Sequence, residues 1–336
     1  MLQLSRGPRS LFRSTKNRYY GATNQGSMRN AITSFIFGLI TLHANAATWY
    51  IDNTATKGAN NGTSWANAWT SFSAVPGSLS AGDIVYISGG ASGQTYGGAQ
   101  QFPHVTGGVS GNPITFKVGQ DAAHSGMVTF DGGGTNNQWI FAAASRPISW
   151  ITIDGNVNGV SHMQVTNWNG AALLDSGATG LVFRYITSPG NGTGTGTGNC
   201  QFRGYNCDYI EFDHCVIGPC VNINRNIVGI GSDTTANYTT NKIHDCTIFA
   251  YYIHGNNYAG GNGDDFMADI KCVHVYHNNF IGVLLSDPSA YTINQHQDGI
   301  QTGYDYVFVD SNYFEDCANY CVFVDYENSG GGHWIV

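Results

Sequence analysis

Asp264, Asp265 and Asp298 are carboxylates whose spacing suggests shared chemistry. The first two lie in GDDFMADIK (263–271) and the third in QDGIQTGYD (297–305). Phe266 stands nine residues before Val275, and Ile300 nine before Val309. Laid side by side as strands about 4.8 Å apart, the two stretches put Asp264 beside Asp298 and Asp265 opposite Gly299. Two carboxylates that close do not both ionise cheaply. One of them keeps its proton and becomes a general acid, or a cation sits between them. Ca²⁺ takes carboxylate and carbonyl oxygens, so these three aspartates are candidate metal ligands as well as candidate catalytic groups.

Other polar residues gather around the same stretches. His296, in NQHQDGIQ, and His254, in YIHGNN, titrate near neutral pH and can carry a proton. His296 is assigned to catalysis and His254 to substrate contact. Lys271 can neutralise a sugar carboxylate, and INRNIVGIG (223–231) brings Arg225 or Asn226 to the same column one coil earlier. Tyr252 and Tyr304 offer flat faces that suit sugar rings, and Gln301 closes the HQDGIQ stretch as a further substrate contact. Each has a plainer reading. Asp-Gly is a common turn dipeptide, Asp264-Asp265 fits a solvated loop, and tyrosine is a good strand former.

These residues can meet only if the chain returns to the same place at a fixed interval. Six segments align: ITIDGN (151–156), VFRYIT (182–187), EFDHCVI (211–217), KIHDCTI (242–248), HVYHNNF (274–280) and FVDSNYF (308–314). Their apolar anchors are Ile153, Phe183, Phe212, Ile243, Val275 and Val309, with steps of 30, 29, 31, 32 and 34. Three residues beyond the last four anchors stand Cys215, Cys246, Asn278 and Asn312, and two further on Ile217, Ile248, Phe280 and Phe314. A strand, a polar turn and a strand recurring at this interval predict a solenoid whose core stacks like on like. The Cys/Asn column is expected at the turn, where asparagine adopts left-handed backbone and bonds the next coil. Cys215 and Cys246 are expected as core fillers. Cys317 and Cys321, four apart, are spaced for a possible disulfide, and no paired Cys-x-x-Cys points to zinc. Trp65, Trp69, Phe72 and Val75, after Gly62-Thr63-Ser64, read as a short amphipathic helix covering the first coil.

The apolar run AITSFIFGLITL (31–42) follows Arg29 and precedes Ala44-Asn45-Ala46, the pattern of a secretory signal over 28–46. It is too short for a membrane span. Residues 1–27 read as an upstream mis-start or a disordered basic arm. The remaining 47–336 read as one β-helix domain, truncated at its C-terminus because HWIV stops where a strand is due. The whole chain has a net charge of −8. All 22 acidic residues but only 8 of the 14 basic ones follow position 46, so the exported part carries 8 − 22 = −14. That charge argues against nucleic acid as a partner and favours divalent cations.

The opening WYIDNTATKGANNGTSWANAWTSFSAV (49–75) with GDIVYISGG (82–90), then GNPITFKVG (111–119) with VTFDG (128–132), resembles exported members of the pectate-lyase-like superfamily. HQDGIQ (296–301) is similar to a His-x-Asp-Gly-Ile-Gln signature that recurs among them. The resemblance implies an all-β, right-handed parallel β-helix with a short N-terminal capping helix, and it covers nearly all of 49–336. It does not imply one reaction, because the scaffold hosts lyases, hydrolases, epimerases and adhesins. Polygalacturonase-like motifs occur here only as fragments (GDDF, QDGI, IHG, DIK) in the wrong order. Pectate-lyase members use aspartate-bound Ca²⁺ and a basic residue. By resemblance, Asp264, Asp265 and Asp298 would hold Ca²⁺, with Lys271 or Arg225 as base. The expectation is a secreted or surface-bound monomer acting on an acidic polysaccharide, as a lyase or a glycoside hydrolase. The alternative is a non-catalytic carbohydrate-binding or adhesive β-helix.

Overall fold

The anchors take the places the repeat demands. In the computed structural model, Ile153 pairs with Phe183, Phe183 with Phe212, Phe212 with Ile243, Ile243 with Val275, and Val275 with Val309. The described residues are 46–56, 58–97, 107–133, 148–167, 172–174, 178–189, 202–205, 207–218, 228–231, 241–252, 273–284, 300–302, 307–316 and 321–324. They form an all-β, parallel β-solenoid.

A nine-stranded sheet, here the first sheet, runs from Thr48–Ile51 through Ser149–Asp154, Thr179–Arg184, Glu211–Asp213, Asn241–His244 and Val273–Tyr276 to Val307–Asp310. An eight-stranded second sheet runs from Gln94–Gly97 to Tyr313–Glu315. Ala172–Leu174, Phe202–Tyr205 and Val228–Gly231 form a third, and Ile300–Thr302 pairs separately with Val322–Val324. All of these ladders are parallel; Asn156–Val157 and Val160–Ser161 make a small antiparallel hairpin. Among the described residues, no helix is long and apolar enough to cross a membrane.

Alternation along each strand builds the core. Phe116, Phe183, Phe212, Ile243 and Val275 point inward and are nearly fully buried. Each such side chain contributes roughly 1.5–3 kcal/mol. Like residues stack: the Phe183 and Phe212 rings lie 5.0 Å apart, and Phe280 and Phe314 4.8 Å apart.

The corner after the first sheet is where the coils are tied together. Tyr185, His214, Asp245, His277 and Ser311 all have φ between 52° and 55°. The left-handed residue is therefore the one before the Cys/Asn column, not the column itself. Non-glycine residues there cost roughly 1–2 kcal/mol each. The column offsets that cost with hydrogen bonds. Asn278 Oδ1 accepts from Cys246 N at 2.9 Å, and its Nδ2 donates to the Ile243 carbonyl at 2.9 Å. Asn312 repeats this one coil on, accepting from Asn278 N and donating to the Val275 carbonyl. Cysteine does the same more weakly: Cys246 Sγ accepts from Cys215 N at 3.3 Å. Both thiols are buried, as core fillers must be, and burial pushes the Cys246 thiol well up.

The N-terminal cap takes the form of two 3-10 turns, Trp65–Asn67 and Phe72–Ala74, in place of one α-helix. Ser64 caps the first, as its position suggests, through Asn67 N. Between the turns, Trp69 donates its backbone N–H to Tyr50 and accepts from Asp52, making a parallel bridge to Ile51. A continuous helix would spend those groups internally and leave the edge strand unpaired.

Asn278→Ala leaves a buried N–H and a buried carbonyl without partners, at roughly 1–3 kcal/mol each. Guanidinium unfolding of this variant is expected to show a loss of about 2–6 kcal/mol; an unchanged midpoint would refute the ladder's role.

Candidate functional site

Every second residue of the first sheet faces outward, and across its later strands these positions are ionisable or aromatic. One column reads Asp154, Arg184, Asp213, His244, Tyr276 and Asp310 in register. A second, two residues earlier, holds Glu211, Lys242 and His274. The left-handed corner adds His214, Asp245 and His277, because the turn that aims the following Asn or Cys inward swings its predecessor out.

The columns converge on His244, which is mostly buried. Its Nδ1 lies 2.8 Å from Asp245 Oδ2 and 3.7 Å from Asp213 Oδ1, and its Nε2 lies 3.4 Å from Glu211 Oε1. Arg184 braces the far side, 3.0 Å from Asp213 Oδ2 and 3.7 Å from Glu211 Oε1. His214 Nδ1 contacts Asp213 Oδ1, and His277 Nδ1 lies 3.9 Å from Asp245 Oδ1. Tyr276 stacks flat on His244 at 4.8 Å. The Glu211 hydrogen bond, with Asp245 and Asp213 behind it, holds the His244 imidazole above its ordinary value despite partial burial. The same bond, then the charges of His244, Lys242 and Arg184, holds the Glu211 carboxyl below its ordinary value. Partial burial and the surrounding carboxylates push Tyr276 up.

Glu211 also ends a groove of about 420 Å³ that runs over the preceding coils. Trp150 and Tyr209 line it side by side, their rings in contact at 5.6 Å and 42°. Thr152, Gly180 and Val182 also line it, and Lys242 stands beside Glu211. Both aromatic residues have left-handed backbone, with φ of 53° and 59°. Bulky residues hold that conformation only where their surroundings enforce it. Gly180 is one such enforcement: a Cβ there would stand 2.3 Å from the Trp150 indole, so glycine lets the ring lie against the sheet. The volume is within the range of small-ligand clefts, about 300–1,000 Å³.

Most of the residues singled out from sequence are not among those the structure describes. Asp264, Asp265, Asp298, His296, Lys271, Arg225, His254 and Tyr304 lie outside the described residues, as do residues 1–45 and Cys317. Tyr252 ends the strand Thr247–Tyr252, paired with Leu284, and Gln301 lies in Ile300–Thr302, paired with Phe323. The cluster around His244 and the groove were not anticipated. The signal for the first was present in EFDHC, KIHDC, HVYHN and FVDSN, one and two residues past each anchor. Trp150, Gly180 and Tyr209 stand three residues before the anchors Ile153, Phe183 and Phe212, all with left-handed backbone, so the repeat carried their position as well, though they share no residue type.

Compared with known proteins, the chain matches no family model, no curated protein and no solved structure. The case for function therefore rests on the coils and on these side chains.

The two shifted groups set a pH window. The raised His244 contributes stability that is complete below its ordinary 6.5 and is lost as pH rises through its folded value. The lowered Glu211 contributes stability present above its ordinary 4.5 and lost as pH falls through its folded value. In chelated buffer, the stability difference between wild type and His244→Gln is expected to be largest between these two ordinary values and to shrink at pH 9. A difference that is flat with pH would contradict the pairing.

Proposed function

We propose that this is an exported, polysaccharide-active β-helix protein of the pectate-lyase-like superfamily, and that an acidic cell-wall or matrix glycan lies along the outer face of its first sheet. The observation that carries the reading is the groove in which Trp150 and Tyr209 flank a polar end made by Glu211 and Lys242. Aromatic faces bury the C–H surface of a sugar ring while its hydroxyls reach polar partners. Lys242 is the natural partner for a uronate carboxylate, and Glu211 accepts from hydroxyls. Outward residues continue in register on the strands past the groove, which suits a chain-like ligand better than a small compact one.

In this reading the protein cleaves the glycan. Elimination would use Ca²⁺ at Asp264, Asp265 and Asp298, since proton removal beside a uronate carboxylate needs that charge neutralised. Hydrolysis would use paired carboxylates instead. The ion pairs on the outer face favour a second reading. Lys117–Asp154, Arg184–Asp213 and His274–Asp310 already satisfy one another, which suits a surface that binds without reacting.

Incubation with a panel of uronate-rich glycans separates these outcomes. Absorbance at 235 nm reports elimination, and reducing ends without it report hydrolysis. Trp150→Ala and Tyr209→Ala are each expected to weaken glycan binding about tenfold, roughly 1.4 kcal/mol. Binding lost in these variants without cleavage by wild type selects the binding-only reading. No binding to any glycan contradicts the proposal.

A further inference from the structure

We propose that Asp213, His244 and Asp245 form a site for a divalent transition-metal ion, with Zn²⁺ as the reference ion, bridging two neighbouring coils. One ligand atom from each of the three lies within 4.8 Å of the others. Donors bound at about 2.0–2.2 Å to a common tetrahedral ion stand roughly 3.4 Å apart. The two carboxylate oxygens lie 2.8 Å and 3.7 Å from His244 Nδ1, distances that bracket that value. One imidazole and two carboxylates leave a fourth position for water, and the imidazole selects a borderline ion over Ca²⁺ or Mg²⁺.

A second observation points the same way. A metal-bound histidine characteristically turns its other ring nitrogen to a carboxylate that fixes its orientation. The far nitrogen of His244, Nε2, faces Glu211 at 3.4 Å, and Glu211 is in turn 3.7 Å from Arg184. The carboxylate ligands are held as well: Arg184 takes Asp213 Oδ2, His214 Nδ1 contacts the ion-side Oδ1, whose second lone pair remains for a metal, and His277 stands 3.9 Å from Asp245 Oδ1. Among the described residues, the only permanently charged contact of these three carboxylates is the Arg184 guanidinium; their other contacts are the imidazoles of His214, His244 and His277, so an ion would take the place of a proton on His244. Asp213 belongs to one coil, and His244 and Asp245 to the next, so the ion acts as a clip across the corner.

The test is titration of the full, chelator-stripped chain with Co²⁺ and Zn²⁺, followed by d–d absorption, calorimetry and melting temperature. One ion per chain at micromolar affinity is expected, with a rise of several degrees in melting temperature. His244→Ala and Asp245→Asn abolish that binding, whereas His274→Ala retains it. Asparagine tolerates the left-handed corner, so Asp245→Asn keeps the fold, which circular dichroism checks. Glu211→Gln weakens the ion about 10–100-fold without changing the stoichiometry. No saturable binding would overturn the site and leave an ion-pair cluster, and so would binding that survives both ligand variants. The readout uses no glycan, so it stands or falls apart from the polysaccharide reading.

Discussion

Parallel register is the constraint on which the rest of this molecule depends. Each residue of the first sheet sits beside one about thirty positions away, and hydrogen bonds between coils hold that register for nine strands. A slip by one residue would exchange the inward Phe183, Phe212 and Ile243 for the outward Arg184, Asp213 and His244. The cost of burying those charges is what fixes the outward columns. The functional face is therefore a by-product of core packing: a strand that buries its anchor must present its neighbours to solvent in line with those of the next coil.

The corner adds a second column to that face. Asn278 and Asn312 take coil-to-coil hydrogen bonds that the turning backbone would otherwise lack. To place them inward, the residue before each adopts left-handed backbone and projects outward. His214, Asp245 and His277 thus stand beside Asp213, His244 and Tyr276 with no gap. The outer face therefore carries a two-column patch of imidazoles and carboxylates next to a groove lined by Trp150 and Tyr209.

The fold was legible because its signal is redundant. The anchors Ile153 to Val309 and the later pair Ile217 and Ile248 are independent statements of the same period, and each pairs as aligned. The site was less legible for a physical reason. Asp213, His244 and Tyr276 each stand one place past an anchor, but they share no residue type, so the repeat marks their position and not their chemistry. The left-handed residue was assigned one place too late, which hid the fact that Asp245 and His277 face out. Trp150, Gly180 and Tyr209 also recur at the anchors' interval, but two aromatic residues and a glycine share no residue type, and their left-handed backbone has no sequence pattern of its own. The acids first singled out, Asp264, Asp265 and Asp298, lie outside the described residues, and their juxtaposition remains an expectation of the same register.

The most direct test of that register is a cysteine pair across adjacent coils. Lys242 and His274 are outward partners on neighbouring strands, and Lys242 and Val275 are not, because Val275 points into the core. Stacked positions in a parallel sheet have Cα atoms about 4.8 Å apart, within the range a disulfide spans. Mild oxidation of Lys242→Cys/His274→Cys, mapped by mass spectrometry, should give the 242–274 disulfide rapidly, and Lys242→Cys/Val275→Cys should give none. The reverse result, or equal yields from both pairs, would contradict the coil register and every juxtaposition derived from it.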